Sequence, residues 1–104
     1  MKFWNTFNEP VIFCESGHGR GSQAPMVYAP GIGEYLCAHN VLLAHARVYK
    51  LYKQDFYPKN NGKLGIVLNS GHTWPKDPNQ NEHVEAADRS LQFWVGNIKL
   101  LRLY

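Results

Sequence analysis

Thr6-Phe7-Asn8-Glu9-Pro10 closes a short aromatic run, Phe3-Trp4-Asn5-Thr6-Phe7. The run reads as a strand over residues 2–8. Pro10 ends it, because proline has no N–H to give a sheet ladder. An amide and a carboxylic acid therefore stand side by side at the C-terminal end of a strand. Parallel α/β barrels present their chemistry at that end.

The next strong signal is a helix over residues 34–56. Tyr35, Ala38, Leu42, His45, Tyr49, Tyr52 and Phe56 recur at spacings of three and four, one face of a 3.6-residue period. Pro58 follows it, and Asn60-Asn61-Gly62 is a turn signal. Lys63 to Asn69 then reads as a second strand. Its near-continuous apolar run, Leu64-Gly65-Ile66-Val67-Leu68, is the pattern of a strand covered on both faces. A polar loop with Pro75 and Pro78 leads to a second helix over 81–96, with Val84, Ala87, Leu91 and Val95 in register. Asn79 or Asn81 is the candidate cap, and Glu82 and Glu85 suit the positive end of the helix dipole. The order is β-α-β-α, an α/β class with parallel strands.

Between the first strand and the first helix, residues 15–33 read as a rim loop. Val11-Ile12-Phe13 reads as its apolar start. Gly17, Gly19, Gly21, Gly31 and Gly33 lie in the loop with Pro25 and Pro30, a density that breaks regular structure. Gly17-His18-Gly19-Arg20-Gly21-Ser22 lacks the spacing of a phosphate-binding loop.

Composition sets outer bounds. The chain has 104 residues, 44% of them hydrophobic and 18% charged, which is globular and not disordered. The net charge is +3, and the Lys and Arg residues are scattered without a basic stripe, so a nucleic-acid partner is not expected. No apolar run is long enough for a membrane span. The start, Met1-Lys2-Phe3-Trp4-Asn5-Thr6, has no apolar leader. No pair of histidines has the spacing of a metal-binding helix, and no metal or other cofactor is expected. Cys14 and Cys37 allow one bridge or two thiols, and two separate buried thiols are the plainer expectation.

Taken together, several blocks resemble glycoside hydrolase family 1, the β-glucosidase family. They are Trp4-Asn5-Thr6-Phe7-Asn8-Glu9-Pro10, the Gly-rich loop to Ala24-Pro25, the helix Tyr35 to Ala46, the strand Gly62 to Ser70, and the helix Glu85 to Phe93. The match runs over roughly residues 2–96 in order. The Cys-containing blocks and Trp74-Pro75-Lys76-Asp77-Pro78 look most like animal, insect-type members. The resemblance implies a (βα)8 TIM barrel, of which residues 1–96 would be an internal fragment of two βα units, about strands four and five. Residues 97–104 depart from the family pattern as a divergent tail. The compartment of this chain stays open, while the resemblance implies a secreted or extracellular parent.

The resemblance also implies a chemistry. Retaining glycosidases use one carboxylic acid to protonate the glycosidic oxygen, and a second carboxylate about 5–5.5 Å away to attack the anomeric carbon. Glu9 matches the acid/base position, and Asn8 matches the residue that hydrogen-bonds the sugar 2-OH. Glu9 must start protonated, a state that burial or a neighbouring carboxylate favours. The family's nucleophile sits in a Thr-Glu-Asn-Gly-like motif, which these residues do not contain. Glu15, Glu34, Glu82 and Glu85 read as surface acids. His72 stands where the family often has an aromatic, with Trp74 two residues on, and loop packing is an equal reading for both. His45 reads as a hydrogen-bonded core histidine. The expected partner is a β-glucoside-type carbohydrate in the parent enzyme, and the isolated chain is expected to be inactive. The alternative is a non-catalytic interaction fragment that self-associates through exposed barrel strands.

Overall fold

A computed structural model describes the backbone of residues 2–100 and the side chains of residues 2–93. The chain divides into two compact units, the first ending at Leu68 and the second starting at Asn69.

In the first unit, strand β1 (Phe3–Asn8) pairs in parallel with β2 (Lys63–Val67). Helix α1 (Pro10–Cys14) follows β1 directly. The apolar segment expected as loop is therefore one helical turn. Pro10 explains the difference, since its fixed φ suits the first helical position and its missing N–H costs nothing there. A wide, π-type turn over Glu15–Gly19 continues the coil. The rest of the loop folds back, with an antiparallel bridge between Arg20 and Tyr28. Val27 donates its N–H to the Gly17 carbonyl at 2.9 Å, and Ala29 to the Gly19 carbonyl at 3.0 Å. Close approach accounts for two glycines. A Cβ on Gly17 would stand 2.7 Å from the Ala24 carbonyl oxygen, and one on Gly33 would collide with the His18 carbonyl. At these two positions close packing requires glycine.

Helix α2 (Gly33–Leu51) is the long crossover. Its inward line is turned slightly from the expected stripe. Val41 and Tyr52 are buried and His45 half-buried, while Tyr35 and Phe56 lie more than half exposed. Cys14 and Cys37 form a disulfide with 5.5 Å between their Cα atoms, joining α1 to α2. The expectation of two separate thiols is thus corrected; the fold of α1 against α2 brings the two sulfurs together. Fixing Cys37 toward α1 brings Val41 and His45, four and eight residues on, to the covered face.

A second wide turn, Tyr52–Phe56, and a short helix α3 (Tyr57–Asn60) end the crossover. Pro58 lies beyond α2 and the wide turn, as expected, and stands near the start of α3. There its missing N–H breaks no needed bond. Lys53 sits 3.4 Å above the Tyr57 ring, a cation–π contact across the junction. Asn60 Oδ1 accepts from the Tyr52 hydroxyl at 2.9 Å and from the Gly62 N–H at 3.0 Å. Asn61 turns left-handed, at φ 47°, and releases the chain into β2. Residues Leu64–Leu68 are half-buried, less covered than the sequence pattern implies.

The second unit holds a loop and helix α4 (Asn81–Leu100). Asp77 Oδ1 accepts from the Asn79 N–H at 2.9 Å, so Asn79 closes a turn and does not cap the helix. Gln80 takes the capping place, its carbonyl accepting from His83 and Val84. Asn81 is already helical and donates to Glu85 Oε1 at 3.0 Å. The expected tail, 97–104, falls partly in α4 up to Leu100; residues 101–104 lie outside the described residues.

The disulfide closes a loop with a sequence separation of 23. Chain-entropy arguments give such a link about 3 kcal/mol. Cys14→Ser/Cys37→Ser should lower the thermal midpoint by about 10 °C or more. A thermal scan showing no shift would refute a stabilising role.

Candidate functional site

The polar pair lies where β1 gives way to α1. Asn8 is the last residue of β1 and is exposed; Glu9 is half-buried. Glu9 is held by its backbone from both sides. Its N–H donates to the Val67 carbonyl at 2.9 Å, and its carbonyl accepts from Ile12 at 3.0 Å. Its dihedrals are φ 48° and ψ 56°, in the left-handed region. A residue before proline normally stays extended, and a non-glycine residue in this region costs about 1–2 kcal/mol. Strain of this kind gathers at functional sites.

The register of the sheet changes just before the pair. Asn5 stands opposite Gly65, but Asn8 stands opposite Val67. Three steps of β1 therefore match two of β2, so β1 carries one extra residue. Thr6 lies in that interval. Its hydroxyl donates to the Gly65 carbonyl at 3.2 Å and lies 2.8 Å from His45 Nδ1 on α2. Burial pushes the His45 imidazole down from its ordinary value. On the other side of the pair, Phe7 and Phe13 approach with ring centroids 6.4 Å apart, which packs α1 back on β1.

The other acids of the first unit have different tasks. Glu15 pairs with Arg20. Glu34 Oε1 accepts the Gly31 N–H at 2.7 Å, and its carboxyl is held below the usual range by its own backbone N–H and then by that of Gly31. Asp55 is exposed on the crossover. In the second unit, Glu85 faces Arg89 at 3.8 Å, an exposed i, i+4 pair. His72 and Trp74 meet edge to face with centroids 4.4 Å apart, and Trp74 stays 79% exposed. Thr73 Oγ1 lies 3.0 Å from Ser90 Oγ, tying this loop to α4.

An open apolar groove of about 390 Å³ runs between β1 and the end of the crossover. Trp4, Leu51, Tyr52, Phe56 and Leu64 are among its lining, and Asn8 and Glu9 are not. The chemistry-bearing pair is thus separate from the apolar hollow. Two features of the site escape a reading of the sequence: the extra residue in β1 and the left-handed Glu9.

Comparison with known proteins places the chain. The model of glycosyl hydrolase family 1 matches residues 1–100. Human lactase/phlorizin hydrolase is 43% identical over 96 residues, covering 92% of this chain and 5% of that protein. The solved aphid myrosinase is 35% identical with a TM-score of 0.81, covering 90% of this chain and 20% of that one. A rice β-glucosidase variant, solved in a covalent complex with Glc, is 31% identical with a TM-score of 0.80, over 92% of this chain and 22% of that one. The chain therefore spans about a fifth of the solved relatives. The parallel βα arrangement, matched over that fraction, is a segment of a barrel of this type.

Two outcomes follow from the geometry. Glycine accepts the left-handed region without penalty, so Glu9→Gly should be more stable than Glu9→Ala by about 1 kcal/mol in denaturant melts. Equal stabilities would show that Glu9 is relaxed. For His45, the folded value lies below the unfolded one of about 6.5. Its neutral form is compatible with the fold, so no stability is lost to it above about pH 6.5. As pH falls below that, the unfolded chain takes up the proton first and stability declines. His45→Asn should flatten this part of the stability–pH curve.

Proposed function

The chain belongs to glycosyl hydrolase family 1, and from that premise we propose that it is the acid/base-bearing segment of a β-glucosidase-like retaining glycosidase. In this reading β1 and β2 are about the fourth and fifth strands of a (βα)8 barrel. Glu9 is the general acid/base, and Asn8 hydrogen-bonds the sugar 2-OH. The observation that carries the reading is the placement of Glu9. It sits at the C-terminal end of a barrel-type strand, locked by its N–H to Val67 and held in a strained conformation.

The chemistry proceeds in two steps. Glu9 gives its proton to the glycosidic oxygen while a second carboxylate attacks the anomeric carbon, so the leaving group departs as an alcohol and a glycosyl-enzyme forms. Glu9, now a carboxylate, takes a proton from water, which attacks the same carbon and releases the sugar. The rice relative held in a covalent complex with Glc accords with a glycosyl-enzyme of this kind. These 104 residues contain no Thr-Glu-Asn-Gly-like motif to supply the second carboxylate. The chain by itself is therefore proposed to lack turnover on β-glucosides.

The test is a transplant. Residues 2–93 replace the matching segment of the rice β-glucosidase, and aryl β-glucosides are assayed. Glu9→Gln should lower kcat by about 10²–10⁴-fold on substrates with poor leaving groups. Azide should restore much of the rate of Glu9→Gly, because it attacks the glycosyl-enzyme without a base. Full activity in Glu9→Gln would sink the assignment. Hydrolysis by the unassisted 104-residue chain that depends on Glu9 would overturn the inactivity.

A second reading has its own support. The described sheet has two strands, so each keeps an unpaired edge, and Phe3 and Trp4 are exposed beside one of them. Open strand edges pair with other chains. Association of copies through these edges should raise the mass measured by light scattering as concentration rises. A monomer at every concentration would remove this reading.

A further inference from the structure

The Thr6 hydroxyl has one proton and two polar neighbours. It gives that proton to the Gly65 carbonyl at 3.2 Å. Both contacts of the hydroxyl are satisfied together when Nδ1–H of His45 is the donor across the 2.8 Å contact. Gly65 is also where the regular pairing stops, since Asn5 faces it and the extra β1 residue follows at once. The hydroxyl thus fastens β1 to β2 by a side chain at the interval where the backbone register slips. Extra residues of this kind bend a strand and re-aim the side chains beyond it.

Parity gives the consequence. With unbroken pairing, Phe7 would stand opposite Val67; the extra residue puts Asn8 there instead. It also brings the Glu9 N–H onto the Val67 carbonyl. Losing the extra residue would move Asn8 and Glu9 one place along the ladder and exchange the faces they present.

We propose that His45 is a positioning residue for the Asn8–Glu9 pair: its Nδ1–H commits the Thr6 hydroxyl to the Gly65 carbonyl and so pins the extra residue of β1 that sets where the pair stands. The role of the pair rests on the glycosidase reading above; the pinning itself is read without any activity and stands or falls separately.

The experiment is NMR on the labelled 104-residue chain. Two-bond nitrogen–proton correlations of the His45 ring should show the proton on Nδ1 in the neutral form. A neutral ring protonated on Nε2 would overturn the proposal. Amide exchange supplies the second arm. His45→Leu and Thr6→Val should each speed exchange of the Glu9 amide about tenfold, the scale of one lost hydrogen bond left uncompensated, while the Lys63 amide, bonded to the Lys2 carbonyl, holds its protection. The double variant should add little to either single one. Asparagine carries an N–H at nearly the reach of Nδ1, so His45→Asn should keep most of the Glu9 protection. A loss spread evenly over β1 and α2 would mean a merely structural contact and overturn the proposal. An unprotected Glu9 amide in the unaltered chain would overturn it as well.

Discussion

Parallel pairing of β1 with β2 is the constraint on which the first unit depends. Two parallel strands cannot be joined by a tight turn; the chain must travel back, and a dozen or more residues are needed. The segment between Asn8 and Lys63 makes that return. The longest element of the return is α2, a helix of 19 residues that lays His45 against Thr6. What remains must be compressed at both ends. The left-handed Glu9 and the Pro10-started turn do so after β1; the wide turn at Tyr52–Phe56 and the left-handed Asn61 do so before β2. Two of the three left-handed non-glycine residues among the described residues, Glu9 and Asn61, thus stand at junctions between strand and helix, and the third, Met26, lies in the loop.

Glu9 lies at the first of these junctions, and its surroundings divide by purpose. The Val67 carbonyl and the Ile12 amide fix its backbone. The disulfide fixes α1 on α2 five residues downstream of it. The loop beyond is closed by glycines that let backbone meet backbone. No hydrogen bond holds the Glu9 or Asn8 side chain among the described residues, whereas Thr6, Glu15 and Glu34 are all engaged.

Legibility in the sequence follows the range of the interactions. Both strands and both long helices are readable, because periodicity and turn residues such as Asn60-Asn61-Gly62 report local energetics. The polar pair is readable from its place at a strand end. Three things are not. The Cys14–Cys37 bridge depends on how α1 folds on α2, which spacing does not encode. The turn over Pro10–Cys14 looks like loop because five residues are too few for a helical period to show. The extra residue in β1 is a relation between two strands far apart in sequence, visible only once they pair. A Thr in a strand and a His on a helix stripe are ordinary in any α/β chain. They become a signal only when the fold sets Thr6 and His45 2.8 Å apart.

The split between the pair and the groove bears on how such a segment acts. The groove beside Trp4, Leu51 and Phe56 is apolar and lies along the strand–helix seam, so its surface gains by being covered with other apolar groups. The pair at the end of β1 is polar and half-open, and gains by meeting a polar ligand or a second charged group. The apolar groove and the polar pair lie at different points along the same strand. In the proposed reading, the general acid needs a second carboxylate within about 5–5.5 Å, which favours its protonated form as well as attacking the sugar.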